Sequence, residues 1–204
     1  MRLAVFASGG GSNVQSMLDA IAQGDLPAAI VLCVSDRPGA GVLDRAARHD
    51  VPTAVLPPND YASPNDFGTA LLDVLTAHDA NFVALAGYLR KIPPNVVAAF
   101  QGRMLNIHPA LLPAFGGPGM YGMNVHRAVV EHGVHWTGAT VHLVNDAYDQ
   151  GPIVLQEPVP VYADDTPEDV AARVLKVEHR IYPTALRLFA TDRVRIEGRR
   201  VWVA

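Results

Sequence analysis

Two segments of the second half of the chain contain residues that can act together in catalysis. Asn106 and His108 alternate along an apolar run, so the two-residue period of a strand would place both side chains on one face. An imidazole exchanges a proton near neutral pH, and an amide N–H can donate to a developing oxyanion. Asp149 follows a later apolar run and adds a carboxylate. Together, these groups are typical of an acyl-transfer site.

A third segment, Ser8-Gly9-Gly10-Gly11-Ser12-Asn13, lies between an apolar run and a helical pattern. Such a loop exposes backbone N–H groups at a helix N-terminus, which favours phosphate binding. We expect Ser12 to cap the helix, and a branched side chain at Gly11 to occupy the anion site. The loop lacks the Lys-Ser/Thr pair of a P-loop and the third glycine of a dinucleotide fingerprint. Asp36 at the end of the next run nevertheless leaves nucleotide binding open.

The remaining reactive side chains are interpreted as structural. Histidines cluster at 126, 132 and 135 and another follows at 142, but their spacing matches no metal motif, so we predict no metal site. The single cysteine, Cys33, excludes an intramolecular disulfide. It is also far in sequence from every motif. No plausible Ser or Cys nucleophile accompanies the three segments, which fits chemistry without a covalent intermediate.

Apolar runs and helical patterns alternate through the first half of the chain. The runs are continuous rather than alternating, which indicates strands buried on both faces of a parallel sheet. They lie at 3–7, 28–34, 53–56, 81–86 and 104–108. Beyond them, extended β-branched runs at 136–144 and 153–161 precede a long helix over 167–189, and 193–203 has the pattern of a hairpin.

The predicted fold class is α/β, a single-domain open, mostly parallel twisted sheet with helices on both faces and antiparallel strands in its C-terminal part. We expect one domain over 1–204, with a phosphate-binding half at about 1–100 and a catalytic half at about 101–204.

Half of the residues are hydrophobic, which excludes intrinsic disorder. A net charge of −4 argues against a nucleic-acid partner, and no run is long enough for a membrane span. The N-terminus resembles a strand and loop rather than a signal peptide, so we expect a cytoplasmic protein.

Five motifs resemble, in order and spacing, those of the glycinamide ribonucleotide formyltransferase family of folate-dependent formyltransferases. The resemblance extends over nearly the whole chain and implies a Rossmann-like formyltransferase fold. The motifs are SGGGSN at 8–13, ALAGYLRKI at 84–92, LNIHPALLP at 105–113, YDQGP at 148–152 and EHRIYP at 178–183.

The resemblance implies that a formyl group passes from the co-substrate 10-formyltetrahydrofolate to the amine of glycinamide ribonucleotide, in de novo purine synthesis. Asn106 and a protonated His108 would bind the formyl oxygen. Asp149 would raise the pKa of His108 and help to position a water that relays the amine's proton. The other implied contacts are with the ribonucleotide phosphate (Gly11, Ser12, Asn13), the glycinamide part (Glu178) and the folate (Leu89, Arg90, Lys91, Ile92 and Asn106).

Three features depart from the family pattern. The loop at 116–122 is longer and richer in glycine, Pro64 replaces a basic residue that can meet the folate tail, and apolar residues precede Glu178.

Alternative functions stay open. A formyltetrahydrofolate hydrolase should have an extra N-terminal domain, and a methionyl-tRNA formyltransferase a basic C-terminal one. A catalytically silent nucleotide-binding module would not need Asn106, His108 and Asp149 together. Either a monomer or a homodimer is expected.

Overall fold

The computed structural model describes all residues, 1–204, which form two compact units, Met1–Leu105 and Asn106–Ala204. The division falls inside the strand that contains Asn106 and His108.

Unit 1 is an alternation of parallel strands and helices. Strand β1 pairs in parallel with β2 and β4, and β2 pairs in parallel with β3, as the continuous apolar runs predict. The elements are β1 Arg2–Phe6, α1 Ser12–Ala22, β2 Ala29–Ser35, α2 Gly41–Ala47, β3 Thr53–Val55, α3 Pro64–Ala77, β4 Phe82–Leu85 and α4 Pro94–Ala99.

Strand β5, Met104–His108, leads into unit 2, where the pairing changes. Strands β6 and β7 are antiparallel, and the C-terminal hairpin β8–β9 is a separate two-stranded sheet. The elements are α5 Met123–Glu131, β6 Trp136–Leu143, β7 Ile153–Pro160, α6 Pro167–Ala190, β8 Val194–Glu197 and β9 Arg200–Val203. The sheet order β3-β2-β1-β4-β5-β6-β7, parallel in unit 1 and antiparallel at its far edge, confirms the predicted fold class.

Burial explains which strands the sequence identified most clearly. Every residue of β4 is buried, whereas β7 at the sheet edge has only two buried residues, Val154 and Val159. The apolar helical pattern of the sequence runs over 67–77. Helix α3 begins three residues earlier, at Pro64, because the Ser63 hydroxyl accepts a 3.2 Å bond from the Asp66 N–H. No helix is long and apolar enough to cross a membrane.

Candidate active site

The glycine loop of unit 1 leads directly into helix α1. The N-cap is Gly11, with φ of 72°, and no side chain caps the helix, so the prediction that Ser12 is the cap is wrong. Ser12 is instead the first helical residue. The left-handed backbone at Gly11 strains any residue with a Cβ, which explains glycine at this position.

Helix α2 fixes the orientation of the loop's peptide groups. The Val42 N–H donates to the Gly9 carbonyl at 3.0 Å, and Arg45 Nε donates to the Gly10 carbonyl at 3.2 Å. In a trans peptide the C=O and the following N–H point in opposite directions. The N–H groups of Gly10 and Gly11 are therefore directed away from α2, and neither donates to a backbone carbonyl. This arrangement suits an anion at the loop.

The same packing corrects the expectation for a side chain at Gly11. A Cβ there would lie 2.5 Å from Val42 Cγ2, so a branched side chain would collide with α2 rather than occupy the anion site. At Gly9 and Gly10 a Cβ would meet no atom within 4 Å.

Asp36 at the end of β2 is a buried carboxylate with two cationic neighbours. Its Oδ2 accepts a 2.8 Å bond from Arg90 Nε, and its Oδ1 lies 3.5 Å from Arg37 Nε. Burial alone would raise the pKa of Asp36. The Ser8 hydroxyl and the two guanidinium groups outweigh burial and lower this pKa below its ordinary value. Because Asp36 is engaged within the protein, it is not placed to bind a ribose as a dinucleotide-site acid would.

The predicted folate segment follows β4 in unit 1. The Leu89 N–H donates to the Ser8 Oγ at 2.9 Å, and the Leu89 side chain is exposed. The Arg90 side chain is half exposed, and its guanidinium is bonded to Asp36. Lys91 is exposed and Ile92 is buried. The segment thus combines an anchored backbone at Leu89 with an exposed Leu89 side chain and a buried Ile92.

Asn106 and His108 end β5 in unit 2, and His108 is buried. His108 Nε2 lies 2.8 Å from the Phe115 carbonyl oxygen, which can only accept, so Nε2 must hold a proton. Nδ1 is therefore the ring atom that titrates. It lies 3.6 Å from Asp149 Oδ2, longer than a hydrogen bond.

Asp149 is fixed by the glycine-rich loop. Its Oδ2 accepts a 2.9 Å bond from the Gly117 N–H, and its backbone has φ of 54°, which aspartate tolerates. Burial would raise the pKa of Asp149, but the His142 and His108 side chains and the Gly117 N–H outweigh it and lower the pKa. The group is a carboxylate at neutral pH.

The pKa of His108 lies below its ordinary value, although Asp149 acts on it in the expected direction. Burial is the largest influence and lowers this pKa below 6.5, while the Asp149 charge and the Phe115 carbonyl oppose it. The Asp149 contribution has the predicted sign, but desolvation exceeds it. The imidazole is therefore mainly neutral at pH 7.

His142 on β6 also belongs to this cluster, although its sequence pattern predicts a structural role. Its Nδ1–H donates to the Leu143 carbonyl at 2.9 Å, which leaves Nε2 to accept from the Asn106 amide at 3.1 Å. The same Nε2 lies 3.6 Å from Asp149 Oδ1. One feature of the sequence could have identified His142: it is a polar residue within the apolar run at 136–144, just before the loop that contains Asp149.

Two polar residues hold the backbone that follows His108. The Thr140 hydroxyl donates to the Ala110 carbonyl at 2.6 Å and accepts from the Leu112 N–H at 3.1 Å. Gln156 donates to the Leu112 carbonyl at 2.9 Å. Beyond this anchor Phe115 has φ of 53°, a strained value for a bulky residue, and its carbonyl is the one that binds His108.

The Gly117 bond to Asp149 gives a first prediction. Gly117 and Gly119 have φ of 99° and 84°, and a Cβ on either would meet no atom within 4 Å. Alanine should strain both positions similarly, by about 1–2 kcal/mol, but only Gly117 donates to Asp149. Alanine keeps the backbone N–H, but strain at residue 117 would displace the N–H that holds the Asp149 carboxylate. We therefore expect Gly117→Ala to lower kcat about tenfold, whereas Gly119→Ala loses only thermal stability. Parallel kcat and Tm measurements test this, and equal losses of kcat would contradict it.

Two further buried groups lie in unit 2. Glu178, predicted to contact the glycinamide part, is buried on α6. His126 on α5 is also buried, and its pKa is lowered to about 4 by burial and then by the His108 charge, so it is neutral near pH 7. No group of three or more His, Cys, Asp or Glu residues is arranged to hold a metal ion.

Comparison with known proteins agrees with this arrangement. Residues 1–186 match the Formyl transferase family. The chloroplastic phosphoribosylglycinamide formyltransferase of Arabidopsis thaliana is 44% identical over 95% of this chain and 67% of its own length. The phosphoribosylglycinamide formyltransferase of Escherichia coli is 34% identical over 100% of this chain and 93% of its own length.

Among solved structures, glycinamide ribonucleotide transformylase 1 from Symbiobacterium toebii matches with a TM-score of 0.94 and 45% identity, covering 100% of this chain and 93% of that one. Sequence, fold and coverage agree, and the chain therefore belongs to the formyl transferase family and, within it, to the phosphoribosylglycinamide formyltransferases.

Proposed function

We propose that Asn106, His108 and Asp149 assist direct attack of an amine on a formyl group, without a covalent enzyme intermediate. Membership of the family gives the reaction itself: a folate-dependent formyltransferase of purine biosynthesis moves a formyl group from 10-formyltetrahydrofolate to glycinamide ribonucleotide. The observation that supports the proposal best is the cluster in unit 2, where an amide, two imidazoles and a carboxylate share hydrogen bonds and short distances.

Stabilisation of the tetrahedral oxyanion is assigned to Asn106 and His108. The Asn106 amide uses one N–H on His142 and has a second N–H for the formyl oxygen. The His108 Nδ1 is the second donor once it is protonated, because Nε2 is already bound to Phe115. Loss of one such donor typically costs about 2.7–4 kcal/mol of transition-state stabilisation.

Asp149 has an electrostatic role in this mechanism. Burial disfavours a charged His108, and the carboxylate 3.6 Å away opposes that penalty when Nδ1 takes up a proton. As the new C–N bond forms, the attacking amine must lose a proton, and the folate nitrogen gains one as its bond to the formyl carbon breaks. In this proposal the Asp149 carboxylate helps to position the water that relays the amine's proton.

Substrate contacts are proposed in both parts of the chain. Gly11, Ser12 and Asn13 bind the ribonucleotide phosphate, supported by the loop N–H groups directed away from α2. The segment 89–92 and Asn106 bind the folate, and Glu178 binds the glycinamide part. The N-terminal half at about 1–100 is then the phosphate-binding half of a single functional domain, and 101–204 the catalytic half.

A tetrahydrofolate-release assay, with and without glycinamide ribonucleotide, tests the function. We expect release only with the ribonucleotide, and the formyl group on its amine. Release to water alone would indicate a formyltetrahydrofolate hydrolase, and release only with charged initiator tRNA would indicate a tRNA formyltransferase. No release under any condition would indicate a silent binding module.

We further propose that the enzyme acts in the cytoplasm as a monomer or homodimer, with no nucleic-acid or membrane partner. The net charge of −4 supports the absence of a nucleic-acid partner, because binding to a phosphate backbone requires clustered positive charge. Sedimentation analysis at several protein concentrations would distinguish the two oligomeric states.

A further inference from the structure

A hydrogen-bonded chain centred on Asp36 connects three segments of unit 1. The Asp36 side chain has 0% exposure and accepts from Arg90 Nε at 2.8 Å. It is also hydrogen-bonded to the Ser8 side chain. A buried carboxylate is costly unless it is paired and hydrogen-bonded, so these bonds hold the geometry around it tightly.

Ser8 relays this constraint to the backbone of the folate segment. Its hydroxyl has one proton, which is donated to Asp36, so its oxygen lone pairs remain to accept the Leu89 N–H at 2.9 Å. The Ser8 N–H donates in turn to the Gly87 carbonyl at 3.0 Å. Asp36 thereby fixes the Leu89 peptide through Ser8 and the guanidinium of Arg90 directly.

The anion-binding loop has a separate support. The carbonyl groups of Gly9 and Gly10 are bound by Val42 and Arg45 of α2, and neither of these bonds involves Asp36. A change at Asp36 should therefore affect residues 89–92 more than the glycine loop, although Ser8 is next to Gly9 in sequence.

We propose that Asp36 is a positioning residue for co-substrate binding, which orients the Leu89 backbone and the Arg90 guanidinium toward the folate. This inference rests on the proposed folate-binding role of residues 89–92. Nothing in the sequence pattern connects Asp36 with this segment, because Asp36 and Arg90 are 54 positions apart.

Substitution Asp36→Asn tests the proposal, because it keeps the size of the side chain but removes the buried negative charge that pairs with the Arg90 guanidinium. Calorimetric titration would use a non-reactive folate analogue and, separately, glycinamide ribonucleotide. We expect the folate affinity to fall about ten- to a hundredfold, with a matching rise in the folate KM. The ribonucleotide affinity and kcat at saturation should change less than threefold.

The matched control is Arg37→Gln, which removes the other cation beside Asp36 while leaving Ser8 and Arg90 in place; its folate affinity should stay at the parent value. Ser8→Ala breaks the same series of hydrogen bonds without changing any charge, and it should also weaken folate binding selectively. It keeps the test decisive if Asp36→Asn fails to fold.

An unchanged folate affinity in a folded Asp36→Asn or Ser8→Ala protein, or equal losses for both ligands, would overturn the role of Asp36. Failure of the parent protein to bind the folate analogue would instead contradict the proposed function.

Discussion

Replacing His108 with Gln should lower kcat about 10³-fold, while both substrates still bind. The Gln amide can reach the Phe115 carbonyl, as Nε2 of His108 does at 2.8 Å, but it has no titrating atom at the position of Nδ1. The loop held by Phe115 is thereby preserved, and the loss falls on the chemistry. Steady-state kinetics combined with calorimetric binding of each substrate separates the two effects.

The complementary substitution His108→Asn places an uncharged polar group near the Nδ1 position and abandons the Phe115 bond. We expect it to retain more activity than His108→Gln, because a neutral donor still faces the oxyanion. His135→Asn, at an exposed histidine of the same unit, is the control and should keep parental kcat. Greater activity in His108→Gln would show that Nε2, not Nδ1, contacts the reacting group.

Substitution Asp149→Asn should lower kcat by about 10²-fold or more, with substrate affinities retained. Asn accepts the left-handed backbone at this position and keeps an oxygen for the Gly117 N–H at 2.9 Å, so only the charge is lost. Without that charge, burial is less opposed and the pKa of His108 should fall further below 6.5. NMR titration of His108 measures this shift directly.

The sign of the pH effect follows from that shift. If protonated His108 assists the reaction, the rate falls as the pH rises through its pKa, and in Asp149→Asn this fall should occur at lower pH. Asp146→Asn, an exposed carboxylate in the same loop, should change neither the profile nor kcat. The proposed mechanism has His108 and Asp149 act as a unit, so the double mutant should lose much less than the sum of the single losses. Additive losses with an unshifted His108 would refute this mechanism.

Much of the fold was predictable because its cause is local. Continuous apolar runs such as 81–86 identify strands covered on both faces, and the change to β-branched runs after residue 136 indicated the antiparallel part. The ends of elements were less predictable. Helix α3 starts at Pro64 rather than Phe67 because its cap, Ser63, lies before the apolar pattern begins.

The proposed catalytic cluster was partly predictable. Residues two apart on a strand share a face, so Asn106 and His108 could be paired from spacing alone, and the family resemblance added Asp149. His142 could not be assigned, because nothing in a sequence says that β6 lies beside β5. The contact between His108 and the Phe115 carbonyl could not be predicted either. Every residue has a carbonyl group, and only the conformation of the loop brings this one to His108.

The sequence by itself determined the order of the elements, the residues able to do the chemistry and the family to which they point. These properties depend on residue type and short spacing. Tertiary structure alone decided the electrostatics: which ring nitrogen of His108 titrates, that Asp36 binds Arg90 across 54 positions, and that burial outweighs Asp149 and lowers the pKa of His108. Those outcomes depend on the depth of burial and on distances between residues far apart in the chain. Desolvation in particular is set by all the atoms surrounding a group, and no motif encodes it.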